Sequence, residues 1–194
     1  MEPSTALLRN QMYVIELRHL SSIQQEVVGL WLDMIRDNET IPGEDCFFER
    51  HFSLADRNFR HGSPFEAYMK NLLVLKCETD GEANDWRYLY RGEVIRRAIY
   101  DDAARKPVAR VSDVENPAIR KLILDDFEVL TKVQSPHHPR LIWRPYSGYF
   151  GPEHEHKTFV RIGMPLGSSH GAVSSCIFLV MEARFDGRAI IELS

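Results

Sequence analysis

The sequence predicts an α+β domain in which helices cover one face of an antiparallel sheet. An apolar run at residues 72–77 and an aromatic stretch at 86–91 flank an Asp-Gly turn signal, which is typical of a β-hairpin. A helical pattern at residues 117–134 follows, and three further strand-like segments come after it. Two strands, then helices, then more strands favour a single antiparallel sheet with segregated helices.

The totals indicate one ordinary soluble domain. The chain has 194 residues, 44% of them apolar, with a formal net charge of -4, so we expect one domain over residues 21–194 with an N-terminal arm at 1–20. Acidic residues outnumber basic residues, which argues against a nucleic-acid partner. No apolar run reaches the roughly 20 residues that span a bilayer, and residues 1–4 do not resemble a signal peptide. We therefore expect a cytoplasmic protein that does not enter the membrane.

The first predicted helix covers residues 22–37. Ser21 or Ser22 can cap it, with Gln24 or Gln25 three residues on. The apolar residues recur at helical spacing and form one stripe: Ile23, Val27, Leu30, Trp31, Met34 and Ile35. Two interpretations stay open, a helix that covers the sheet and a dimerisation helix with Trp31 and Ile35 at its interface.

The segment between this helix and the hairpin is predicted to be short and broken. Residues 37–43 form a loop by composition. Residues 44–63 carry several phenylalanines among charges and predict irregular or short helical structure. A short helix is expected from Pro64 to Lys70, because proline is favoured at the first helical position.

The hairpin at residues 72–91 carries aromatic and basic residues in alternation. Trp86, Tyr88 and Tyr90 are two apart, so they are expected on one face of the second strand, with Arg87 and Arg91 on the other. We interpret the aromatic face as the seat of the Trp31 helix, which makes Trp86 and Tyr88 interface residues. The arginine face is then the side expected to meet a ligand.

The second half of the chain predicts one longer helix and three strands. Short helices are expected within residues 93–112. Asn116-Pro117 is a strong helix start, and the helix presents an apolar stripe of Ile119, Leu122, Ile123, Phe127, Leu130 and Val133. The strands are predicted at 140–146, 157–164 and 173–182, with a short terminal strand at 189–191.

In this order of elements the chain resembles PAS sensor domains, and within them a group of short stand-alone PAS-like proteins of proteobacteria. The resemblance extends over roughly residues 23–183. It rests on the following residues: Trp31, Ile41-Pro42, Trp86-Arg87-Tyr88 with Arg91-Gly92, Asp126-Phe127, and Met164-Pro165-Leu166. It implies a five-stranded antiparallel sheet, with the helix at 117–134 and short helices enclosing a cavity against one face.

The resemblance also implies a function of a general kind. Such domains sense small molecules, bind cofactors or dimerise, so we expect a non-catalytic signalling module, a homodimer, that acts through a partner protein. The alternative is a structural or interaction module whose cavity is filled by side chains. No haem-ligating histidine lies in the helix at 117–134, and the reactive-cysteine motif of flavin photosensors is absent, so the cofactor stays unknown.

Four strand arginines are the candidate ligand-binding residues: Arg87, Arg91, Arg144 and Arg161. Forked guanidinium groups can clamp a carboxylate or a phosphate. The competing interpretation, which we favour, is that these arginines pair with acids such as Glu93 or Glu182.

Histidines and cysteines give weaker signals. His137, His138, His154 and His156 lie in turns that neighbouring strands could bring together, so a metal protein is a third hypothesis, but no spacing matches a known metal motif. Cys46, Cys77 and Cys176 form no redox or zinc pair and are expected to behave as small buried residues. No nucleophile elbow is present. Asp125 and Asp126 are adjacent on a helix and point in different directions, so they are not a catalytic pair. We therefore predict that the protein is not an enzyme.

Overall fold

The computed structural model describes nine stretches of the chain, which hold the sheet and the elements packed on it. These stretches are residues 20–35, 41–80, 83–100, 108–114, 117–131, 141–150, 155–168, 172–185 and 190–192. The predicted arm at 1–20 lies outside them except for Leu20, whose side chain is buried in the core.

Five long antiparallel strands and one short strand form the main sheet. In chain order they are β3 (Leu72–Asp80), β4 (Ala83–Arg91), β5 (Ile142–Phe150), β6 (Glu155–Gly167), β7 (Val173–Phe185) and the short β8 (Ile190–Glu192). The spatial order is β4-β3-β7-β6-β5, with β8 beside β7. The predicted hairpin and the C-terminal strands therefore share one antiparallel sheet, joined where β3 pairs with β7.

The helices and a small hairpin surround this sheet. They are α1 (Ser22–Leu32), α2 (Glu44–Arg50), β1 (Phe52–Ser53), β2 (Asn58–Phe59), a 3₁₀ helix (Pro64–Asn71), α3 (Glu93–Tyr100), a 3₁₀ turn (Val111–Asp113) and α4 (Pro117–Thr131). Ser21 and Gln24 form the predicted capping box, and the Ser63 hydroxyl accepts from the Phe65 backbone N–H. Helix α1 ends at Leu32, earlier than the predicted boundary at residue 37.

The prediction that helices cover one face of the sheet is wrong, because packed elements lie on both faces. One core holds Leu72 and Val74 of β3 together with α1, α2 and the 64–71 3₁₀ helix. The other holds Leu73 and Leu75 of the same strand together with α3, α4 and the 111–113 turn. Since both sets of alternating side chains in β3 are apolar, each face needs a cover of its own.

The seat predicted for the Trp31 helix is also wrong. Trp31 is fully buried in the first core, where its indole N–H donates to the Pro165 carbonyl at 2.8 Å. Trp86 and Tyr88 belong to the second core, on the opposite face of the sheet. Helix α1 instead packs against the first core, whose sheet residues include Ile162, Met164, Leu166 and Ile177.

A β-bulge explains why the three aromatics of β4 do not share a face. The pairing of β3 with β4 shifts between Val74 and Leu75, which lie opposite Tyr90 and Tyr88, so Leu89 is the extra residue. The extra residue breaks the two-residue alternation. Tyr90 therefore packs against the first core, with its ring centroid 5.1 Å from that of Phe59.

The cysteines largely follow the sequence expectation. Cys46 and Cys176 are buried, Cys77 is partly buried, and all three are free thiols. Burial is the main cause that raises the pKa of both Cys77 and Cys176. Among the described residues, no helix combines the length and the apolar character that crossing a membrane requires.

Candidate functional site

A buried carboxylate shared by two arginines lies between α4 and the sheet. Arg144 of β5 places its Nε 3.0 Å from Oδ1 of Asp126, and an amino group of Arg161 in β6 pairs with Oδ2 of the same carboxylate. The side chains of Asp126, Arg161 and Arg144 are 0%, 4% and 14% exposed. We call these three residues the Arg–Asp–Arg triad.

Local structure places each member of the triad. In the antiparallel pairing of β5 with β6, Arg144 lies directly opposite Arg161, so the backbone ladder holds the two guanidinium groups side by side. In α4, residues three or four apart share a face. Asp126 therefore lies on the same side as Ile123 and Leu130, which pack into the second core together with Phe127.

The electrostatics of the triad are a balance between burial and charge. Burial raises the pKa of the Asp126 carboxyl group, and the positive charges of Arg161 and Arg144 oppose that rise. Like charges directly opposite in a sheet are destabilising, so the carboxylate also offsets the repulsion between the two arginines. Arg161 is held further by the Leu122 carbonyl at 3.4 Å and by the Phe178 ring, whose centroid lies 5.3 Å from its guanidinium carbon.

An aromatic contact links the triad to the hairpin. Phe127 follows Asp126 in the chain and stacks on Trp86 of β4, with ring centroids 3.8 Å apart and planes 4° from parallel. Its ring also meets Phe178 of β7 edge to face at 5.6 Å. Two neighbouring residues of α4 thus contact opposite ends of the sheet.

The structure brings together two of the four predicted ligand-binding arginines. Arg144 and Arg161 converge in the triad. Arg91 lies on β4, where its guanidinium carbon is 5.3 Å from the centroid of the Tyr88 ring. Arg87 instead donates to Glu78 at 3.0 Å. Neither Glu93 nor Glu182 is the acid that pairs with Arg144 in the described structure; that acid is Asp126.

The second carboxylate with two arginines lies near the surface. Glu78 pairs through one oxygen with Arg87 and through the other with Arg110 at 3.2 Å, and all three side chains are about one-third exposed. It has the same arrangement of charges as the triad but is partly exposed to water, so it provides a less buried counterpart.

The four residues predicted for an interface lie within the fold. Trp31, Trp86 and Tyr88 are buried by other elements of the same chain, and Ile35 is partly buried against the first core. The predicted homodimer itself stays a prediction.

The predicted metal site lies almost entirely outside the described residues. His137, His138 and His154 are outside them, and for His156 only the backbone is described, in β6 opposite Tyr149. Within the described stretches, no group of three or more metal-ligating side chains comes together.

Sequence reasoning missed Asp126 as a member of the site, although a signal was present. Asp126 falls four residues after Leu122 and four before Leu130, on the apolar stripe of the predicted helix. An acid at such a position needs a cationic partner when it is buried. The two arginines with which it pairs could not be identified from the sequence, because that pairing depends on strand register.

Searches against protein-family models, curated proteins and solved structures found no match for this chain.

Proposed function

We propose that the chain is a PAS-like sensory module that binds a small molecule and performs no catalysis. The observation that carries this proposal is the placement of the Arg–Asp–Arg triad. The family resemblance expects a ligand cavity between the sheet and the helix at 117–134, and two of the arginines selected as ligand contacts lie on that face under α4.

The proposed mechanism is a shift between two arrangements of α4 on the sheet. A ligand moves such an equilibrium only if it binds one arrangement more tightly than the other. The ion pairs between α4 and β5–β6 suit this role, because a ligand that competes for a guanidinium group weakens an ion pair that holds α4 on the sheet. The signal then passes to a partner protein, in a homodimer or through the surface of α4.

Native mass spectrometry of the full chain tests the proposal. The expected result is a retained small molecule, seen as a mass difference between native and denaturing conditions. A bare mass in native conditions, together with no thermal stabilisation of the protein by fractionated small-molecule cell extract, would contradict ligand sensing. Light scattering after size exclusion separately tests the homodimer.

A second candidate is an interaction module with a filled interior. Its supporting observation is the dense packing of the second core, in which the Phe127 ring stacks on Trp86 and abuts Phe178. A Cβ atom at Gly163 would lie 2.7 Å from the Phe178 ring. This candidate predicts a bare native mass and a stable oligomer or partner complex.

A further inference from the structure

We propose that Arg144 and Arg161 form a binding site for a small oxyanion, a carboxylate or phosphate group, and that the bound anion takes the place of Asp126 on Arg144. This inference rests on the proposed sensory function, because it names the ligand class of the same site. Three features of the triad support it.

The first feature is that strand pairing holds the two arginines together. Arg144 and Arg161 are direct partners in the β5–β6 ladder, so their closeness is set by backbone hydrogen bonds and not by the helix above them. Two guanidinium groups held side by side can both donate charge-assisted hydrogen bonds to one oxyanion, and each can do so through a pair of parallel N–H groups. If α4 moved away, the sheet would still present a two-arginine clamp in need of an anion.

The second feature is that Arg144 is the accessible member. Its side chain is 14% exposed, against 4% for Arg161 and 0% for Asp126. It lies on β5, the strand at one edge of the five long strands. It contacts Asp126 through Nε at 3.0 Å, and its guanidinium group carries the forked donors that oxyanions prefer.

The third feature is the link from Asp126 to the rest of the sheet. If an incoming anion replaces the carboxylate on Arg144, Asp126 loses one of its two counter-charges while still buried, and α4 must adjust. The next residue, Phe127, stacks on Trp86 at 3.8 Å. An adjustment of α4 therefore changes the surroundings of the Trp86 indole on a strand at the other side of the sheet.

The three tryptophans of the chain provide the readout. The full chain is titrated with acetate, succinate or inorganic phosphate at constant ionic strength set with chloride, and the indole N–H signals are followed by NMR after assignment with single Trp→Phe variants. The Trp86 signal should shift and saturate, and the Trp31 signal should stay in place, because Trp31 lies in the other core and donates to Pro165. Comparing acetate and succinate with phosphate identifies which oxyanion is preferred.

Variants at matched arginines decide whether the triad is the site. Arg144→Gln should weaken binding by about tenfold or more, since it removes at least one charge-assisted hydrogen bond, and Arg144→Lys, which keeps the charge without the fork, should also bind less tightly than the wild type. Arg87→Gln should bind as the wild type does, because Arg87 pairs with Glu78 elsewhere. Both positions are more exposed than Arg161, so these variants avoid removing a fully buried charge.

Specific outcomes would overturn the inference. An equal Trp86 shift in Arg144→Gln, or the same shift with chloride alone, would mean an adventitious ion only. No saturable shift at concentrations up to about 10 mM, which corresponds to binding weaker than about 3 kcal/mol, would also overturn it. If native mass spectrometry then showed a retained uncharged molecule, the sensory function would stand without this site; a bare mass would remove both.

Discussion

At the scale of single residues, burial separates two charge clusters of the same composition. Asp126 and Glu78 each pair with two arginines, but Asp126 is fully buried and Glu78 is about one-third exposed. A buried charge that loses its partner pays a desolvation cost that a solvated charge avoids. The two clusters therefore differ in what they contribute to stability.

Asp126→Asn should lower the free energy of unfolding by about 3–5 kcal/mol, because it leaves two guanidinium groups side by side with no anion between them. Glu78→Gln should lower it by at most about 1 kcal/mol, as for an exposed ion pair. Urea denaturation of both variants gives the two values. Similar losses from both substitutions would argue against a special role for the buried triad.

His51 should make stability depend on pH. Burial first, and then the charge of Arg50, lower the pKa of His51 below 6.5. Since the unfolded chain binds the proton more readily, the stability contributed by neutral His51 is present above pH 6.5 and is lost as pH falls toward the folded pKa. The difference in urea midpoint between pH 7.5 and pH 5.5 should shrink in His51→Gln. An unchanged difference would show that His51 does not titrate in this window.

Gly92 allows a close approach that no other residue permits. A Cβ atom there would lie 2.5 Å from the Met69 carbonyl oxygen and closer still to that of Lys70, both in the backbone of the 64–71 3₁₀ helix. Gly92→Ala should therefore lower the free energy of unfolding by an amount at or above the upper end of the range of about 1–3 kcal/mol, because the backbone cannot move aside as a side chain can. The free energy of unfolding measures it.

Gly29→Ala is the control for this substitution. Gly29 lies within α1 and has nothing within 4 Å of its Cβ position, so alanine should stabilise the protein by about 0.5–1 kcal/mol. Opposite signs for the two glycines are expected, and a stabilising Gly92→Ala would mean that the approach of the 3₁₀ helix to Gly92 is not tight.

At the scale of elements, patterns with a local cause were predictable and those set by register were not. The capping box of α1, the helix that starts at Pro117 and the hairpin at 72–91 follow from side-chain chemistry within a few residues. The face of the sheet on which Tyr90 lies could not be predicted in this way, because the single extra residue Leu89 reverses it. The same holds for the site: Arg144 and Arg161 could be selected by type, but their pairing depends on a ladder between strands.

Helix α4 should depend strongly on Phe127 for its attachment to the sheet. Phe127 is buried between Trp86 and Phe178, so Phe127→Ala should cost about 3–5 kcal/mol. Leu124 is on the same helix but 43% exposed, and Leu124→Ala should change stability by less than about 1 kcal/mol. Thermal and urea unfolding compare the two. A large loss from Leu124→Ala would mean that a partner or a second copy of the chain covers this part of α4.

At the scale of the whole molecule, one sheet serves two cores. Strands β3, β6 and β7 give alternate side chains to each core. The first residue of each of the following neighbouring pairs faces the first core and the second faces the second core: Leu72 and Leu73 in β3, Ile162 and Arg161 in β6, and Ile177 and Phe178 in β7. A layer on one face cannot lose its packing without exposing strands that the other layer needs. The stability of the layer that contains α4 is therefore coupled through the shared strands to that of the layer that contains α1.

The two cores should unfold together. Trp31 lies in the first core, Trp86 lies in the second, and Trp143 packs against the first. Trp86→Phe therefore leaves fluorescence from the first core alone, whereas Trp31→Phe leaves Trp86 to report on the second core beside Trp143. Coincident urea transitions, after allowing for the stability lost in each variant, are expected for a chain whose central strands belong to both layers. Two separate transitions within one variant would show instead that α1 and α2 form an independently stable layer. The proposed signal from α4 would then have to leave by α4 itself, because a layer that unfolds independently is not coupled to the face on which the triad lies.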